Sequence, residues 1–156
     1  MFGSASEYVC IATSALYIYS PTSITVTSGT ASGGTYANLA NNDAVYLKIN
    51  STTSGTRKID WYGSTFVSQS ASSIAKLIVN FDGKNQTSKT QVLYLYNFTS
   101  STWDQIDSRA VSSTDVTITY ENASPANYIS SGGEIRLRVY TSGGACQILL
   151  LYTGIG

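Results

Sequence analysis

The sequence predicts an all-β protein, and three observations carry that prediction. The composition suits pleated sheets, because charged residues make up only 12% of the 156 residues, tyrosines number 12 and prolines number 2, and Thr, Tyr, Val and Ile favour strands. About nine or ten short apolar runs recur at roughly 8–12-residue spacing, separated by turns rich in Ser, Gly and Asn. No stretch has a helical period. The pattern is typical of one β-sandwich or barrel.

The predicted strands follow one another in chain order, each as a run that alternates apolar and polar residues or is apolar on both faces. They cover residues 7–20, 24–27, 44–49, 57–67, 74–81, 92–98, a run that resumes at Trp103, 116–120, 134–140 and 147–152. Gly63 inside one run predicts a bulge or bend. Asp82 and Gly83 together predict a tight turn.

The run 92–98 is predicted to be a middle strand. Its tyrosines, Tyr94 and Tyr96, point to one face and its leucines to the other. A strand that is apolar on both faces is usually covered on both sides. We therefore expect Tyr94, Tyr96 and Trp61 in the core.

The run 134–140 is the clearest amphipathic strand in the chain. Its odd positions are Ile135, Leu137 and Val139, whereas Arg136 and Arg138 occupy even positions. The alternation predicts a strand with an apolar face on the core and its arginines toward solvent.

The residue types exclude several kinds of chemistry. The chain has no histidine, which removes Ser-His-Asp and Cys-His catalysis, histidine zinc sites and the usual general base near neutral pH. Carboxylate pairs such as Asp104 with Asp107, or Asp60 with Glu134, would suit glycoside hydrolysis. Because nine acidic residues make such pairs unavoidable, we expect no enzymatic activity.

Charge and hydropathy also limit the partners. The net charge is zero, so nothing favours capture of nucleic acid or an anionic membrane. No run reaches the roughly 18 apolar residues of a membrane span. Residues 8–19 lack the positive flank of a signal peptide, so either processing precedes this numbering or the protein leaves the cell by another route, such as inside a virus particle.

Residues 1–33 are predicted to form an N-terminal β-rich extension, followed by the sandwich over residues 34–156. An apolar extension must be buried, either on its own sandwich or as a strand added to the sheet edge of a neighbouring subunit. The residues expected to carry this assembly are Val9, Cys10, Ile11, Leu16 and Ile18.

Cys10 and Cys146 lie near opposite ends of the chain, and their spacing excludes a CxxC metal or redox motif. They could form a disulfide within one chain, link two subunits, or remain buried free thiols. All three arrangements are left open.

The order of several motifs resembles a known module. DAVYLKI (43–49), a WYG strand (61–63), LYLYNFTSSTWDQIDSR (93–109) and YISSGGEIRLRVY (128–140) precede a last apolar strand. Together they resemble the β-jelly-roll accessory module at the C-terminal end of many secreted bacterial and archaeal multidomain proteins, including subtilisin-like proteases. The resemblance covers about residues 35–152 and implies an antiparallel jelly-roll β-sandwich with a non-catalytic role in binding or assembly.

The same resemblance implies a structural calcium site, because such modules often carry one. The oxygen donors on offer are Asn41, Asn42, Asp43 and Asp82, but they form no dense acidic cluster. We interpret them as turn residues and expect no cofactor.

A neutral surface rich in hydroxyl groups favours a protein that associates, because low net charge protects little against association, or one that works at an extracellular, cell-surface or virion-surface location. Four N-x-S/T patterns are candidate glycosylation sites, at Asn50, Asn85, Asn97 and Asn122.

Two functions are therefore compared. The first is a structural protein of an extracellular filament or virion surface, which forms a homo-oligomer or polymer by strand addition of its N-terminal arm. The alternative is a carbohydrate-binding module in which Trp61, Tyr62 and Trp103 stack on the sugar rings of a polysaccharide. We favour the first.

Overall fold

The computed structural model describes residues 8–12, 15–40, 45–143 and 147–155, with side chains described over 17–40 and 45–143. Three short 3₁₀ helices, η1 (Tyr36–Leu39), η2 (Ala71–Ser73) and η3 (Pro125–Tyr128), lie between strands. The strands are β1 (Tyr8–Ala12), β2 (Ala15–Tyr19), β3 (Ser23–Ser28), β4 (Thr30–Gly33), β5 (Leu47–Asn50), β6 (Lys58–Phe66), β7 (Leu77–Asn85), β8 (Lys89–Asn97), β9 (Thr102–Val111), β10 (Val116–Asn122), β11 (Glu134–Ser142) and β12 (Gln147–Ile155).

The strands form two sheets that pack face to face. One sheet has seven strands in the order β10-β7-β1-β2-β12-β5-β4, and the other has five in the order β3-β6-β11-β8-β9. The strand pairings within the described ranges are antiparallel. The prediction of an antiparallel all-β sandwich is confirmed.

The core lies between the sheets and consists mainly of the inward-facing residues of both, together with Leu39 of η1. Each fully buried Leu, Ile or Phe side chain contributes roughly 1.5–3 kcal/mol relative to an exposed one. Its fully buried members include Leu39, Leu47, Ile49, Ile59, Trp61, Leu77, Phe81, Leu93, Leu95, Ile135 and Val139. The five-stranded sheet thus buries one face only, and its other face carries the site described below.

The expectation that Tyr94 and Tyr96 fill the core is wrong. Leu93 and Leu95 are 0% exposed, and the alternating tyrosines lie half-buried on the opposite face of β8. In a two-layer sandwich each sheet has only one covered face. The strand is apolar on both faces because its second face belongs to an aromatic surface cluster.

The predicted turn at Asp82 and Gly83 and the predicted bulge at Gly63 are both wrong, because these residues lie inside regular strands. Asp82 and Gly83 do not turn the chain, because β7 continues to Asn85 and Gly83 pairs with Val116 of β10. Gly63 does not bulge β6, since the register with β11 runs unbroken through it. A Cβ added at Gly63 would meet Pro21 at 3.4 Å, an ordinary van der Waals contact.

The N-terminal strands pair within the chain. In β1, Val9 pairs with Ile78 of β7, and β1 also forms a hairpin with β2. The strand β3 pairs with β6 in the other sheet. The proposed boundary at residue 33 stays a prediction, although β3 and β4 precede it and belong to the two sheets.

Several predicted residues fall wholly or partly outside the described side chains. Ile18 is 49% exposed on β2. Only the backbone is described for Val9, Cys10, Ile11 and Leu16, and Cys146 lies outside the described residues, as do Asn41, Asn42 and Asp43. The possible disulfide between the two cysteines and the expectation of no calcium therefore stay predictions.

The turn before β11 depends on Gly133. Its φ is +82°, and its carbonyl accepts a hydrogen bond of 2.9 Å from the N–H of Val67. A Cβ at this position would lie 2.3 Å from the Val67 carbonyl oxygen. The turn therefore holds the start of β11 against the end of β6, the neighbouring strand in the five-stranded sheet.

Gly133→Ala is expected to lower the free energy of unfolding by more than the roughly 1–2 kcal/mol that a left-handed L-residue costs, because the Val67 carbonyl must also move. The matched control is Gly55→Ala, since Gly55 also has positive φ, +66°, but a Cβ added there would meet nothing within 4 Å. Urea unfolding of both variants checks the difference, and equal losses would contradict it.

Candidate functional site

The outer face of the five-stranded sheet carries a cluster of aromatic and charged side chains. Successive residues of a strand point to opposite faces, so the residues between the core positions of β6, β8 and β11 all emerge on this side. We call this surface the aromatic face, and it consists of Asp60, Tyr62, Tyr94, Tyr96, Phe98, Trp103, Glu134, Arg136, Arg138 and Tyr140.

The strand register places Arg138 at the centre of this face. Arg138 pairs with Tyr62 of β6 on one side and with Tyr94 of β8 on the other. On the next strand, Trp103 of β9 pairs with Tyr96 of β8. Directly opposed residues in antiparallel strands have Cβ atoms about 5 Å apart, so the register alone brings these rings and the guanidinium together.

The aromatic rings contact one another edge to face or at a tilt. The ring of Trp103 lies 5.7 Å from Tyr62, at an interplanar angle of 49°, and 5.0 Å from Tyr96, at 69°. Tyr96 in turn lies 4.9 Å from Phe98, at 80°. These are preferred aromatic distances, and the angles make the surface ridged rather than flat.

Arg138 forms a bidentate ion pair with Asp60. Nε and Nη2 donate to the two carboxylate oxygens of Asp60, each at 2.7 Å. The guanidinium also lies 5.2 Å from the Tyr94 ring and 5.6 Å from the Trp103 ring, within cation–π range. The hydrogen bonds from Arg138 to Asp60 raise the pKa of Arg138, so this arginine stays charged.

Arg136 repeats the arrangement two residues earlier on the same face of β11. Nε and Nη2 donate to Glu134 at 2.9 Å and 2.8 Å. The guanidinium lies 5.1 Å from the Tyr96 ring and 5.4 Å from the Phe98 ring. These hydrogen bonds hold the pKa of Glu134 below its usual value, so the pair is ionised at neutral pH.

A shallow pocket opens at the centre of the aromatic face. It has a volume of ≈ 220 Å³ and is lined by Thr27, Asp60, Tyr62, Trp103 and Arg138. The hydroxyl of Thr27 donates to the backbone carbonyl of Asp60 at 3.0 Å. The pocket thus combines two aromatic rings with an ion pair that offers both hydrogen-bond donors and acceptors.

The turn between β8 and β9 is fixed by Asp104. Its carboxylate accepts hydrogen bonds from Asn97 Nδ2 at 2.9 Å and from the Tyr128 hydroxyl at 3.0 Å. The bond from Asn97, and then that from Tyr128, lower the pKa of Asp104. Burial and the bond to Asp104 raise the pKa of Tyr128 to about 12. This network positions the start of β9 and hence Trp103.

The three residues predicted to stack on sugars separate in the structure. Tyr62 and Trp103 lie together on the aromatic face, in contact. Trp61 does not join them, because it points to the opposite face of β6 and is 1% exposed in the core. The sequence shows that Trp61 and Tyr62 are adjacent and so point to opposite faces, but only the strand register decides which of the two faces outward.

The two carboxylate pairs considered for glycoside hydrolysis are held by other groups. Asp60 and Glu134 each bind an arginine of β11. Asp107 accepts a hydrogen bond of 2.8 Å from Nε of Arg109. Asp104 belongs to the turn network.

Sequence reasoning placed Arg136 and Arg138 on the solvent side but assigned them no role. It also missed Thr27, which lines the pocket from the neighbouring strand. The signal for the arginines was present in the alternation of residues 134–140. No signal marks Thr27, because its place depends on the pairing of β3 with β6.

The four predicted glycosylation sites differ in exposure. Asn50 is exposed, and Asn97 and Asn122 are half-buried. Asn85 is 0% exposed, and its Nδ2 donates to the Val111 carbonyl at 3.4 Å. A glycan on Asn85 is therefore incompatible with this fold, whereas the other three sites stay predictions.

The outer face of the seven-stranded sheet is different in character where its side chains are described. Lys84 donates to the Tyr46 hydroxyl at 2.6 Å and pairs with Asp115 at 3.4 Å, while Thr117 donates to Asp82 at 3.1 Å. These polar groups bind one another. No ring–ring contact is found on this face within residues 17–40 and 45–143.

The described part of the chain offers neither a metal-binding cluster nor a membrane-spanning helix. Within it, no group of three or more His, Cys, Asp and Glu side chains could hold a metal ion. The helices described there are too short to cross a membrane.

Comparison with known proteins identifies a family and a fold. A family model described as the C-terminal domain of an uncharacterised protein matches residues 12–144. A search of curated proteins found no match.

Two solved structures are similar over most of the chain. TmCBM61 in complex with β-1,4-galactotriose has a TM-score of 0.52 at 8% identity, over 83% of this chain and 85% of that chain. The Clostridium thermocellum xylanase 10B fragment with CBM22-1 and GH10 modules, complexed with xylohexaose, has a TM-score of 0.58 at 14% identity, over 97% of this chain and 28% of that chain. At these identities the similarity shows the fold, and it confirms the jelly-roll sandwich.

The prediction of a self-assembling filament or virion-surface protein is wrong. Strands β1 and β2, which carry the residues expected to add to a neighbour, pair with each other and with β7 and β12 of the chain's own sheet. Both similar structures named above contain a carbohydrate-binding module.

The Glu134 carboxyl is expected to titrate below its ordinary pKa of 4.5, because Arg136 donates two hydrogen bonds to its ionised form. A carboxyl whose folded-state pKa is lowered stabilises the fold above the unfolded-state pKa, and that contribution is lost as pH falls through the folded-state value. Carboxyl-carbon NMR from about pH 7 to about pH 2 measures the midpoint.

The matched variant for this titration is Arg136→Gln, in which the midpoint should return toward the ordinary value. Identical Glu134 midpoints in the wild type and the variant would show that the ion pair does not perturb this carboxyl.

Proposed function

We propose that this chain, which belongs to the family described as the C-terminal domain of an uncharacterised protein, is a carbohydrate-binding domain that acts through its aromatic face. The observation that carries the proposal is the central pocket, in which the rings of Tyr62 and Trp103 lie beside the Asp60–Arg138 ion pair. The carbohydrate-binding alternative set out from the sequence thus replaces the assembly interpretation.

The chemistry of the pocket matches that of a sugar. A pyranose ring has faces of C–H groups and a rim of hydroxyls. Tyr and Trp rings offer large apolar faces that can cover the C–H groups. Asp60 accepts hydrogen bonds and Arg138 donates them, and charged partners make strong hydrogen bonds to neutral hydroxyls.

The shape of the face favours a single polysaccharide chain. The rings meet at 49°, 69° and 80°, so they cannot lie flat against a planar crystalline surface. They extend from β6 to β9, which is three interstrand steps or about 14 Å. The pocket of ≈ 220 Å³ is smaller than the roughly 300–1,000 Å³ of a typical ligand pocket. It would hold one sugar of a longer chain that runs along the face.

The polar groups are held in place before a ligand arrives. Each arginine is fixed by two hydrogen bonds to its carboxylate and by neighbouring rings. Groups that are already ordered lose little conformational entropy on binding. Such a surface suits repeated, reversible binding to a polymer.

The same arrangement supports a non-catalytic role. A general acid in a glycosidase needs a carboxyl whose pKa is raised so that it carries a proton. Arg136 instead lowers the pKa of Glu134, and Asp60 is bound bidentately by Arg138. We propose that the domain binds polysaccharide without cleaving it.

We further propose that the domain works outside the cell as an accessory part of a larger protein. The jelly-roll resemblance and the low charge content of 12% support this placement. In the similar xylanase structure, the CBM22-1 module shares its chain with a GH10 module. A tethered binding domain raises the effective concentration of its partner domain at the polymer.

Trp103→Ala is expected to weaken polysaccharide binding by about 5- to 150-fold. Stacking of an aromatic side chain on a nucleobase is worth about 1–3 kcal/mol, we expect stacking on a sugar face to be of similar size, and every 1.4 kcal/mol is about tenfold in affinity. Affinity electrophoresis against soluble galactan, xylan, mannan and mixed-linkage β-glucan identifies the ligand, and calorimetry gives the affinity.

The matched control is Tyr36→Ala, which removes a ring that is 45% exposed on η1, away from the aromatic face. It should bind like the wild type. Circular dichroism confirms that both variants fold. The proposal fails if the wild type binds no polysaccharide, or if folded Trp103→Ala binds as tightly as Tyr36→Ala.

A further inference from the structure

We infer that the aromatic face selects uncharged polysaccharides and rejects polyuronates, an inference that rests on the proposed carbohydrate-binding function. Two arginines on a sugar-binding face would ordinarily suggest an acidic ligand, since guanidinium groups bind carboxylates bidentately. The contacts of both arginines indicate a neutral ligand instead.

The charges of the face cancel in pairs. Arg138 binds Asp60 and Arg136 binds Glu134, with all four hydrogen bonds between 2.7 Å and 2.9 Å. A ligand carboxylate beside either arginine would also lie beside that arginine's own carboxylate. At similar distances the attraction and the repulsion are of similar size, so little net attraction remains.

The bidentate edge of each guanidinium is already occupied. Nε and Nη2 of both arginines face the protein's carboxylates. An incoming uronate could take that edge only by displacing Asp60 or Glu134. Asp60 is 8% exposed, and leaving a buried carboxylate without its partner is strongly unfavourable.

The unused hydrogen-bonding capacity suits hydroxyl groups. A guanidinium has five N–H donors, and a carboxylate can accept about four hydrogen bonds, so each ion pair retains donors and acceptors beyond the bonds it makes within itself. Sugar hydroxyls both donate and accept. A neutral sugar can therefore bind the ion pair without separating it.

Other charges lie away from the rings. Lys58 lies on the same side of β6 as the pocket residues, roughly 7 Å along the strand from Asp60 and about 13 Å from Tyr62. The Asp60 carboxylate, which Arg138 already binds, thus stands between Lys58 and the rings. Arg109 of β9 is paired with Asp107 and adds no unbalanced charge.

The test compares a neutral and an acidic polymer in the same assay. Wild-type protein is measured against the neutral polysaccharide that it binds best and against polygalacturonate, at about 50 and about 500 mM NaCl, a range over which exposed charges are progressively screened. The expected result is less than a twofold change with salt for the neutral polymer and at least about tenfold weaker binding to polygalacturonate.

The variants Glu134→Gln and Asp60→Asn each leave one arginine without its carboxylate and are expected to gain at least about tenfold in polygalacturonate affinity, with a steep loss at high salt. Glu134 is on the solvent side of β11, so its variant tests the inference even if Asp60→Asn is unstable. The control is Asp115→Asn, which makes the same change in net charge beside Lys84 on the other sheet and should gain nothing.

The outcomes separate the two proposals. Wild-type binding to polygalacturonate that equals neutral binding and falls with salt would overturn this inference but leave carbohydrate binding standing. A folded Glu134→Gln variant that gains no more than Asp115→Asn would also overturn it. A wild type that binds neither class of polymer would overturn the proposed function itself, and this inference with it.

Discussion

The two-residue alternation of β11 is the constraint on which both the core and the aromatic face depend. The strand lies at the centre of the five-stranded sheet, between β6 and β8. Its odd residues, Ile135, Leu137 and Val139, are at most 1% exposed in the core, and its even residues include both arginines of the face. A slip of one residue would exchange the two sets. The hydrophobic core therefore fixes the register that assembles the site.

The ion pairs on this face contribute more to order than to stability. Partly exposed ion pairs are typically worth little to the free energy of folding, and buried ones offset their Coulomb attraction with a desolvation cost. What the pairs do is hold two long, otherwise mobile side chains in one orientation among the aromatic rings. The result is a rigid surface on which rings, donors and acceptors have fixed positions, as the proposed polysaccharide site requires.

The sequence predicts the fold well because strand signals are local. Alternation over residues 134–140 locates β11 and the outward direction of Arg136 and Arg138. It cannot locate Asp60, which lies 78 residues away from Arg138, because that pairing is set by sheet topology. The same limit explains the N-terminal strands: apolar alternation shows that β1 needs a sheet edge but not which sheet supplies it.

Local signals also fail where one residue serves two needs. Tyr94 and Tyr96 lie within a run that is apolar on both faces. Strands covered on both sides share this pattern with strands that bear an aromatic cluster on an outer face. Gly83 resembles a turn residue beside Asp82, yet it is buried within β7 and paired with β10. Whether such a residue is buried, exposed or in a turn depends on the neighbouring strands, which the sequence of one strand does not reveal.

The most direct measurement is a two-dimensional NMR titration of the ¹⁵N-labelled protein with soluble oligosaccharides, beginning with β-1,4-galactotriose and xylohexaose, the ligands in the two similar structures. Binding on the aromatic face predicts the largest shifts at the Trp103 indole N–H, the Arg138 Nε–H and the backbone of β6, β8 and β11. Shifts confined to the seven-stranded sheet, for example around Lys84 and Asp115, or to the loop at residues 51–56 would contradict it.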